Sequence, residues 1–283
     1  MTAKIVDGKK IAEDIQHNVS ENISDLVDKN GLIPNVGTII IGDDPSSRLY
    51  MKLRNKACKK VGINTFSKEF PKDVSEKKLI SEIKKLNTNS DVHGILIQLP
   101  LPDHLNQSRI IENINPTKDV EGFHPYNMGR TLLGDEHIVP CTPLSVITIL
   151  DYEKVDLKGL DITIINHSNV VGKPLSVMFL NRNATVNVCH VFSKDTKKYS
   201  KQSDILVSAT GIPGFVKSDM VKKNCFVIDV GIIKTDEGIT GDVDLEDVKE
   251  ITSRITPVPG GVGPVTVACS LINMVKTYGN SIK

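Results

Sequence analysis

Tyr50 and Arg54 stand four residues apart in Leu49-Tyr50-Met51-Lys52-Leu53-Arg54, a stretch with helical apolar spacing that Ser46 is placed to cap. At ~100° per residue the two side chains fall within about 40° of each other, while Lys52 and Lys56 project elsewhere. A phenol and a cation on one helix face can hold a polar substrate. The pattern fits equally well a ring-packed tyrosine beside an exposed arginine. Gln98 closes the apolar run Gly94-Ile95-Leu96-Ile97 and enters Leu99-Pro100-Leu101-Pro102. Its amide therefore sits at a strand C-terminus, where open α/β sheets hold ligands. Between Pro116 and Pro125, Lys118, Asp119, Glu121 and His124 collect in one loop, either a site or an ordinary polar surface.

A second group of residues suggests a phosphate. The run Asp161-Ile162-Thr163-Ile164-Ile165 is followed by Asn166-His167-Ser168-Asn169-Val170-Val171-Gly172-Lys173-Pro174. A strand, a tight turn, a glycine and an early helical proline build a helix N-terminus with free N–H groups, the arrangement that receives a dinucleotide in a βαβ unit. It is not G-x-G-x-x-G, so an ordinary βα turn remains open. The next strand ends at Cys189-His190 with no Asp or Glu for a ribose hydroxyl; Ser193 and Lys194 follow. A pocket without the acid, with His167 and Lys173 nearby, favours a 2′-phosphate and hence NADP, with NAD as the alternative. Finally, Thr256-Pro257-Val258-Pro259-Gly260-Gly261-Val262-Gly263-Pro264 is rigid at its prolines and open to close approach at its glycines, a loop shaped to lie against a ligand.

These groups need a scaffold, and the remaining sequence supplies one. The 283 residues suffice for one large or two medium domains. Hydrophobic residues at 39%, charged residues at 24% and a net charge of +1 describe an ordinary globular chain with no bias toward nucleic acid or a membrane. The amino terminus lacks a signal-peptide apolar block and no run reaches bilayer length. Five dispersed cysteines without a Cys-x-x-Cys pair predict reduced thiols in the cytoplasm and no metal site. Cys141, in Pro140-Cys141-Thr142-Pro143, reads as a packing residue rather than a nucleophile. Ile11, Ile15, Val19, Ile23 and Leu26 recur at helical spacing behind Asp7, a capping residue. Short β-branched runs at 36–41, 94–99, 161–165, 185–188, 204–207 and 225–229 alternate with helix-length segments, and a helix is expected over 265–277. The expected fold is α/β, two domains with parallel sheets, the second a Rossmann-type dinucleotide-binding domain. Residues 1–139 with 265–283 are expected to form one domain and 140–264 the other.

Over essentially its full length the chain resembles the methylenetetrahydrofolate dehydrogenase/cyclohydrolase family. The resemblance is carried by Gly42-Asp43-Asp44-Pro45-Ser46 with Tyr50, by Gln98-Leu99-Pro100-Leu101-Pro102, Lys118-Asp119-Val120-Glu121-Gly122 and Pro140-Cys141-Thr142-Pro143. It continues through Ser168-Asn169-Val170-Val171-Gly172-Lys173-Pro174, Asp229-Val230-Gly231 and the Pro-Gly loop. It implies a folate-binding domain, an NADP-binding Rossmann domain, a cleft between them and a homodimer. The implied activity is oxidation of 5,10-methylenetetrahydrofolate and hydrolysis of the methenyl product to 10-formyltetrahydrofolate, in one-carbon metabolism and purine biosynthesis. It places Tyr50, Arg54, Gln98 and Glu121 in catalysis, and Tyr50, Gln98, Leu99, Pro100, Glu121, Pro259, Gly260, Gly261 and Val262 on the folate. The cofactor falls to Asn166, His167, Ser168, Val171, Gly172, Lys173, Pro174, His190, Ser193 and Ile232.

Three positions depart from the family's pattern. Arg54 occupies the place of its catalytic lysine, and an arginine stays protonated where a lysine can shuttle a proton. Glu121 replaces the pterin-recognising aspartate. Asn166-His167-Ser168 lacks the arginine of the family's turn, with Asn166 suited to a left-handed backbone there. The alternatives are a dehydrogenase with weak or absent hydrolase activity and a folate-binding protein without catalysis.

Overall fold

A computed structural model describes residues 2–282 apart from Glu237, and of Ser46 the backbone only. In chain order the elements run β1 (Lys4–Ile5), α1 (Gly8–Asn30), β2 (Asn35–Ile41), α2 (Pro45–Lys60), β3 (Asn64–Phe70), α3 (Glu76–Thr88), β4 (Gly94–Ile97), α4 (Gln107–Glu112), α5 (Pro125–Leu132) and α6 (Cys141–Tyr152). They continue with β5 (Asp161–Ile165), α7 (Gly172–Leu180), β6 (Thr185–Cys189), α8 (Thr196–Ser200), β7 (Ile205–Ser208), β8 (Phe226–Asp229), β9 (Ile233–Thr235), β10 (Gly238–Thr240), α9 (Leu245–Val248), β11 (Arg254–Ile255) and α10 (Val262–Ser281). The chain divides into two compact units, one of Glu13–Cys141 with Val267–Lys283, the other of Met1–Ala12 with Thr142–Thr266.

The three-stranded unit is built on a parallel sheet ordered β3-β2-β4. Its central strand is apolar because both faces are covered. Ile39 and Ile41 of β2 and Ile95 and Ile97 of β4 join Leu79, Ile83 and Ile110 on one side. Val36 and Leu96 join Val19, Ile23, Ala57, Leu271 and Met274 on the other. That period of two sends Thr38, alone among polar residues in β2's interior, onto the face shared with α2. β3, an edge strand with alternating exposure, went unpredicted because Asn64-Thr65-Phe66-Ser67-Lys68 has too few apolar residues to stand out. At Gly94 an added Cβ would lie 2.7 Å from Val120 Cγ2, 3.1 Å from Thr277 Oγ1 and 3.2 Å from Val36 Cγ2. Gly94→Ala is therefore expected to destabilise this unit by about 1–3 kcal/mol through overpacking, read as a lowered Tm in thermal melts.

The six-stranded unit has a parallel sheet ordered β1-β11-β8-β7-β5-β6, with β9 and β10 as a separate antiparallel ribbon. Ile165, Leu206, Val227 and Ile255 fill the core under it. β1 takes the edge position, Lys4 and Ile5 pairing in parallel with Arg254 and Ile255. Two expectations are corrected at helix starts. α2 opens at Pro45, with Asp44 Oδ2 accepting from Ser47 N at 2.7 Å as the cap, whereas the side chain of Ser46 lies outside the described atoms. α10 begins at Val262, earlier than the sequence suggests, so the last residues of the Pro-Gly loop already belong to a helical turn. Asp7 caps α1 as expected, its Oδ1 accepting from the N–H groups of Lys9 and Lys10.

Candidate active site

In the three-stranded unit Arg54 meets Thr38 in the middle of β2 and approaches Glu121, while Gln98 directly follows the C-terminal end of β4. Arg54 is fully buried, which removes the exposed-arginine alternative. Its Nη2 donates to Thr38 Oγ1 at 2.8 Å and contacts Met51 Sδ at 3.1 Å. Nη1 lies 4.0 Å from Glu121 Oε1. Nε and Nη1 have no hydrogen-bond acceptor among the described residues. A buried guanidinium holding two idle donors is an unstable arrangement unless something else accepts from them. A ligand with carbonyl or ring-nitrogen acceptors suits that need. Gln98 complements it: its Nε2 donates to the Leu99 carbonyl at 2.8 Å and its buried Oε1 has no donor, so it can receive an N–H from the same class of ligand. Register puts Gln98 one residue beyond Ile97, which aligns with Ile39, and the Gln98 N–H continues the ladder to the Ile39 carbonyl at 2.9 Å. The Leu99-Pro100 bond that follows is cis.

Tyr50 is half-buried, its ring packed on the Val36–Leu96 cluster. Burial, then the charge of Glu121, pushes its hydroxyl well above the usual phenol range. The four polar groups of the loop at 118–124 have separate tasks. Lys118 leaves the site: its ammonium donates to the carbonyls of Asn87 and Asn89, both at 2.9 Å, closing the end of α3. His124 caps α5 through Nδ1, which accepts from Tyr126 N. Asp119 accepts from Gly122 N at 3.1 Å, His124 N at 2.9 Å and Asn127 Nδ2 at 3.0 Å, and so fixes the loop. Gly122 has φ +73, and a Cβ there would meet the Val139 carbonyl carbon at 2.4 Å. Glu121 alone is left facing Arg54, its side chain 16% exposed. Burial pushes its carboxyl up to about 7, with Arg54 opposing and Asp119 adding to the rise.

Two residues here escaped the sequence reading. Thr38 orients Arg54 and was visible only as a polar interruption of an apolar strand. Asn273 of α10 donates to the Val120 carbonyl at 2.9 Å and the Val139 carbonyl at 2.8 Å, clamping the chain on both sides of Glu121. Nothing in α10's own sequence separates it from a surface asparagine. Cys141 is buried and carries a thiol raised well above its usual range by burial, then by Glu121, as suits a packing residue.

Arg54 and Glu121 should prove energetically coupled. In a double-mutant cycle of Arg54→Met and Glu121→Gln, urea unfolding should show the double variant less destabilised than the sum of the singles by about 1–2 kcal/mol. Additive losses would mean the 4.0 Å approach contributes nothing.

In the six-stranded unit the turn after β5 is organised by Asn166. Its Oδ1 accepts from Ser168 N at 2.8 Å and Gly172 N at 3.0 Å, and its Nδ2 donates to the Ala209 carbonyl at 2.7 Å. The expected left-handed backbone is absent, since Asn166 is not among the positive-φ residues. Its side chain replaces what glycine would supply by conformation. Ser168 Oγ accepts from Val171 N at 3.1 Å. Gly172 opens α7 with no room for a side chain: a Cβ would sit 2.0 Å from the Asn166 carbonyl oxygen. This is the close strand–helix packing that lets helix N–H groups reach a phosphate, and Pro174 follows within α7's first turn. Lys173 is exposed, its ammonium donating to Asn169 Oδ1 at 2.7 Å.

His190 donates its N–H to Ser193 Oγ at 2.9 Å and accepts from Phe192 N through Nδ1 at 3.2 Å. Its ring lies 4.6 Å from that of His167, centroid to centroid, bringing the two predicted cofactor residues together. Val191 and Phe192 bulge into solvent, 83% and 82% exposed. Ile232 is likewise 66% exposed, and the nearest atom to a Cβ on Gly263 is its Cδ1, at 3.5 Å. Asp229 accepts from the N–H groups of Gly231, Asp242 and Val243, and Asp242 in turn accepts from Ser208 Oγ at 2.7 Å and Gly211 N at 3.0 Å. These two carboxylates hold the loops after β7 and β8; burial pushes that of Asp229 up to about 6.

The Pro-Gly loop belongs to this unit too. Val258-Pro259 is cis and Gly260 has φ +106. A Cβ on Gly261 would meet the Pro257 carbonyl oxygen at 2.5 Å, and one on Gly8 would meet the Gly261 carbonyl oxygen at 1.9 Å. Gly8, at the start of α1, is thus a third residue that sequence reasoning missed; a lone glycine ahead of an amphipathic helix carries no distinguishing signal.

Residues 6–121 match the tetrahydrofolate dehydrogenase/cyclohydrolase catalytic domain, and residues 140–282 match the NAD(P)-binding domain of the same description. The bifunctional protein FolD of Methanosarcina barkeri is 51% identical over 266 residues, covering 94% of this chain and 93% of that protein. That of Aquifex aeolicus is 47% identical over 98% of this chain and 95% of its own length. The crystal structure of bifunctional FolD methylenetetrahydrofolate dehydrogenase/cyclohydrolase from Campylobacter jejuni superposes with a TM-score of 0.95 at 43% identity, covering 98% of this chain and 99% of that one. The N5,N10-methylenetetrahydrofolate dehydrogenase-cyclohydrolase of Trypanosoma brucei, solved with NADP and an inhibitor, gives 0.95 at 33% identity over 100% of this chain and 99% of its own.

Proposed function

The chain belongs to the tetrahydrofolate dehydrogenase/cyclohydrolase family, and from that premise we propose how its residues divide the family's two reactions. It oxidises 5,10-methylenetetrahydrofolate to 5,10-methenyltetrahydrofolate with NADP, then hydrolyses the product to 10-formyltetrahydrofolate. The observation that carries this reading is Arg54, buried with two idle donors beside Glu121, in the unit whose strand β4 leads into Gln98 with its unpartnered Oε1. A reduced pterin offers the acceptors and donors those groups require.

Bound NADP supplies the hydride acceptor. Gly172 lets α7 start tight against the Asn166 backbone, so that the helix N-terminus would receive its pyrophosphate. Asn166, Ser168 and Val171 shape the turn, with Lys173 and Pro174 in the first helical turn. His167, His190 and Ser193, which lie close together, would read the ribose phosphate, and Ile232 would offer an exposed apolar contact. Tyr50, Gln98, Leu99, Pro100 and Glu121 frame the pterin, and the backbone of Pro259, Gly260, Gly261 and Val262 supports the folate. Hydride transfer itself asks mainly for orientation, which packed glycine turns and a fixed guanidinium provide. Arg54 remains cationic throughout and strengthens polarisation of the pterin carbonyl region without exchanging a proton.

A homodimer in the cytoplasm, feeding one-carbon units to purine biosynthesis, completes the reading; the five buried free thiols suit a reducing compartment. The test is a spectrophotometric assay with methylenetetrahydrofolate and either NADP or NAD, followed by the decay of methenyl product. Formation of methenyl product with a higher kcat/KM for NADP supports the assignment. Methenyl product that accumulates and decays only at the uncatalysed rate would reduce the enzyme to a dehydrogenase. Tight folate binding without hydride transfer would remove catalysis altogether.

A further inference from the structure

Resting on that reading of the site, we propose that Glu121 carries the proton in the hydrolytic half-reaction, with Arg54 as the fixed charge beside it. Opening a methenyl bridge requires a group that accepts a proton from water and later surrenders it to the departing nitrogen, and such a group works best when it titrates near the operating pH. The groups around Glu121 can be taken in turn. From α2, Arg54 cannot release its proton, and the Tyr50 hydroxyl is held well above the neutral range by burial and by Glu121. From its own loop, Asp119 is committed to three N–H donors. From α6, the Cys141 thiol is pushed well up by burial. From α10, Cys269 is fully buried, and burial lowers the Lys276 ammonium from its usual range while Cys269, Cys141 and Glu136 oppose the fall. Lys276 is therefore the competing group that the experiment must test. Glu121 is the group that burial has brought to about 7.

Geometry allows it to act. Asp119 and Gly122 fix the chain before and after it, and Val120 between them is fully buried, so the backbone is held while the side chain stays 16% exposed and open to water. Its separation of 4.0 Å from Arg54 Nη1 is well beyond a bidentate pair, so the carboxyl is oriented by the cation without being locked as its counter-ion. The step balances. Water oxygen bonds to the methenyl carbon as Glu121 takes one water proton. The carbon–N5 bond then breaks while Glu121 returns that proton to N5. The remaining hydroxyl proton leaves to solvent as the formyl C=O forms, which discharges the positive charge the methenyl substrate brought.

The experiment supplies methenyltetrahydrofolate directly, subtracts the uncatalysed rate and records hydrolytic kcat across the neutral pH range, with hydride-transfer kcat measured on the same preparations. For the unaltered enzyme, hydrolytic kcat should climb with pH to a plateau, with its midpoint near the Glu121 value of about 7, because the base must be ionised. Glu121→Gln should flatten the profile and lower hydrolytic kcat by about 100-fold or more, a larger fall than in hydride transfer. Glu121→Asp should keep an ionisation limb at reduced rate, and it decides the matter if the glutamine variant does not fold. Lys276→Gln should keep the limb. The proposal is overturned if Glu121→Gln retains the pH slope, if both half-reactions fall in step, if Lys276→Gln abolishes the limb, or if methenyl substrate is not hydrolysed at all. Absence of hydride transfer, by contrast, would strike the reading on which it rests.

Discussion

Alanine at Gly172 should lower kcat/KM for NADP by about 100-fold or more, because its methyl group has nowhere to go. The ideal Cβ falls 2.0 Å from the Asn166 carbonyl oxygen, 2.4 Å from its carbon and 2.8 Å from His167 N, all backbone atoms. No rotamer change can relieve a clash with main chain. The strand end and the helix start must separate instead, and Asn166 Oδ1 then loses its 3.0 Å bond to Gly172 N along with its hold on Ser168 N. The phosphate-facing N–H groups would be displaced together. Steady-state kinetics with varied NADP and direct titration of cofactor binding check the result. A variant with normal NADP affinity would show that the turn is not where the pyrophosphate rests. Gly279→Ala is the control: its Cβ would meet nothing within 4 Å, and alanine in a helix interior should raise Tm slightly.

The second large effect is expected from a residue outside every motif. Gly8→Ala would place a methyl 1.9 Å from the Gly261 carbonyl oxygen, 2.6 Å from the Gly261 carbonyl carbon and 2.7 Å from the Gly260 carbonyl oxygen. Alanine is the better helix former, yet the steric cost dominates because the Pro-Gly loop is itself rigid, with Gly261 pressed against Pro257. A shift of roughly 1 Å in the loop should raise KM for methylenetetrahydrofolate and lower its kcat/KM by about 100-fold. Titration with NADP alone separates this from general misfolding: cofactor binding should persist. Unchanged folate kinetics would remove the loop from the folate contacts.

Much of this was legible in the sequence because the chemistry is concentrated in short, punctuated segments. The β-branched runs and the glycine and proline positions located β2, β4, β5, β6, β7 and β8 to within a residue or two, and the four-residue spacing put Tyr50 and Arg54 on one helical face. Where reading failed, the missing information lay in distant partners. Lys118 and His124 look like site residues until α3 and α5 claim them as caps. Asn166 suggests a left-handed backbone until its side chain is seen bridging Ser168, Gly172 and Ala209. Gly8 has meaning only against a loop in the last part of the chain, and β1 is too short to show any period of its own.

The placement of β1 has a consequence for how the protein is made. Lys4 and Ile5 are made long before the strand they pair with, which does not exist until Arg254 and Ile255 have been synthesised. The helix that covers Val36 and Leu96 is later still, contributed by Val267, Leu271 and Met274. One sheet lacks its edge strand and the other its covering helix until distant residues are made, so the nascent chain must keep two partly exposed apolar surfaces soluble until α10 emerges. Cutting the gene between the halves would strand β1 and Gly8 on the wrong fragment. It would equally strand residues 267–283, so coexpressed halves are expected to recover activity only when residues 1–12 and 267–283 each rejoin the unit they complete.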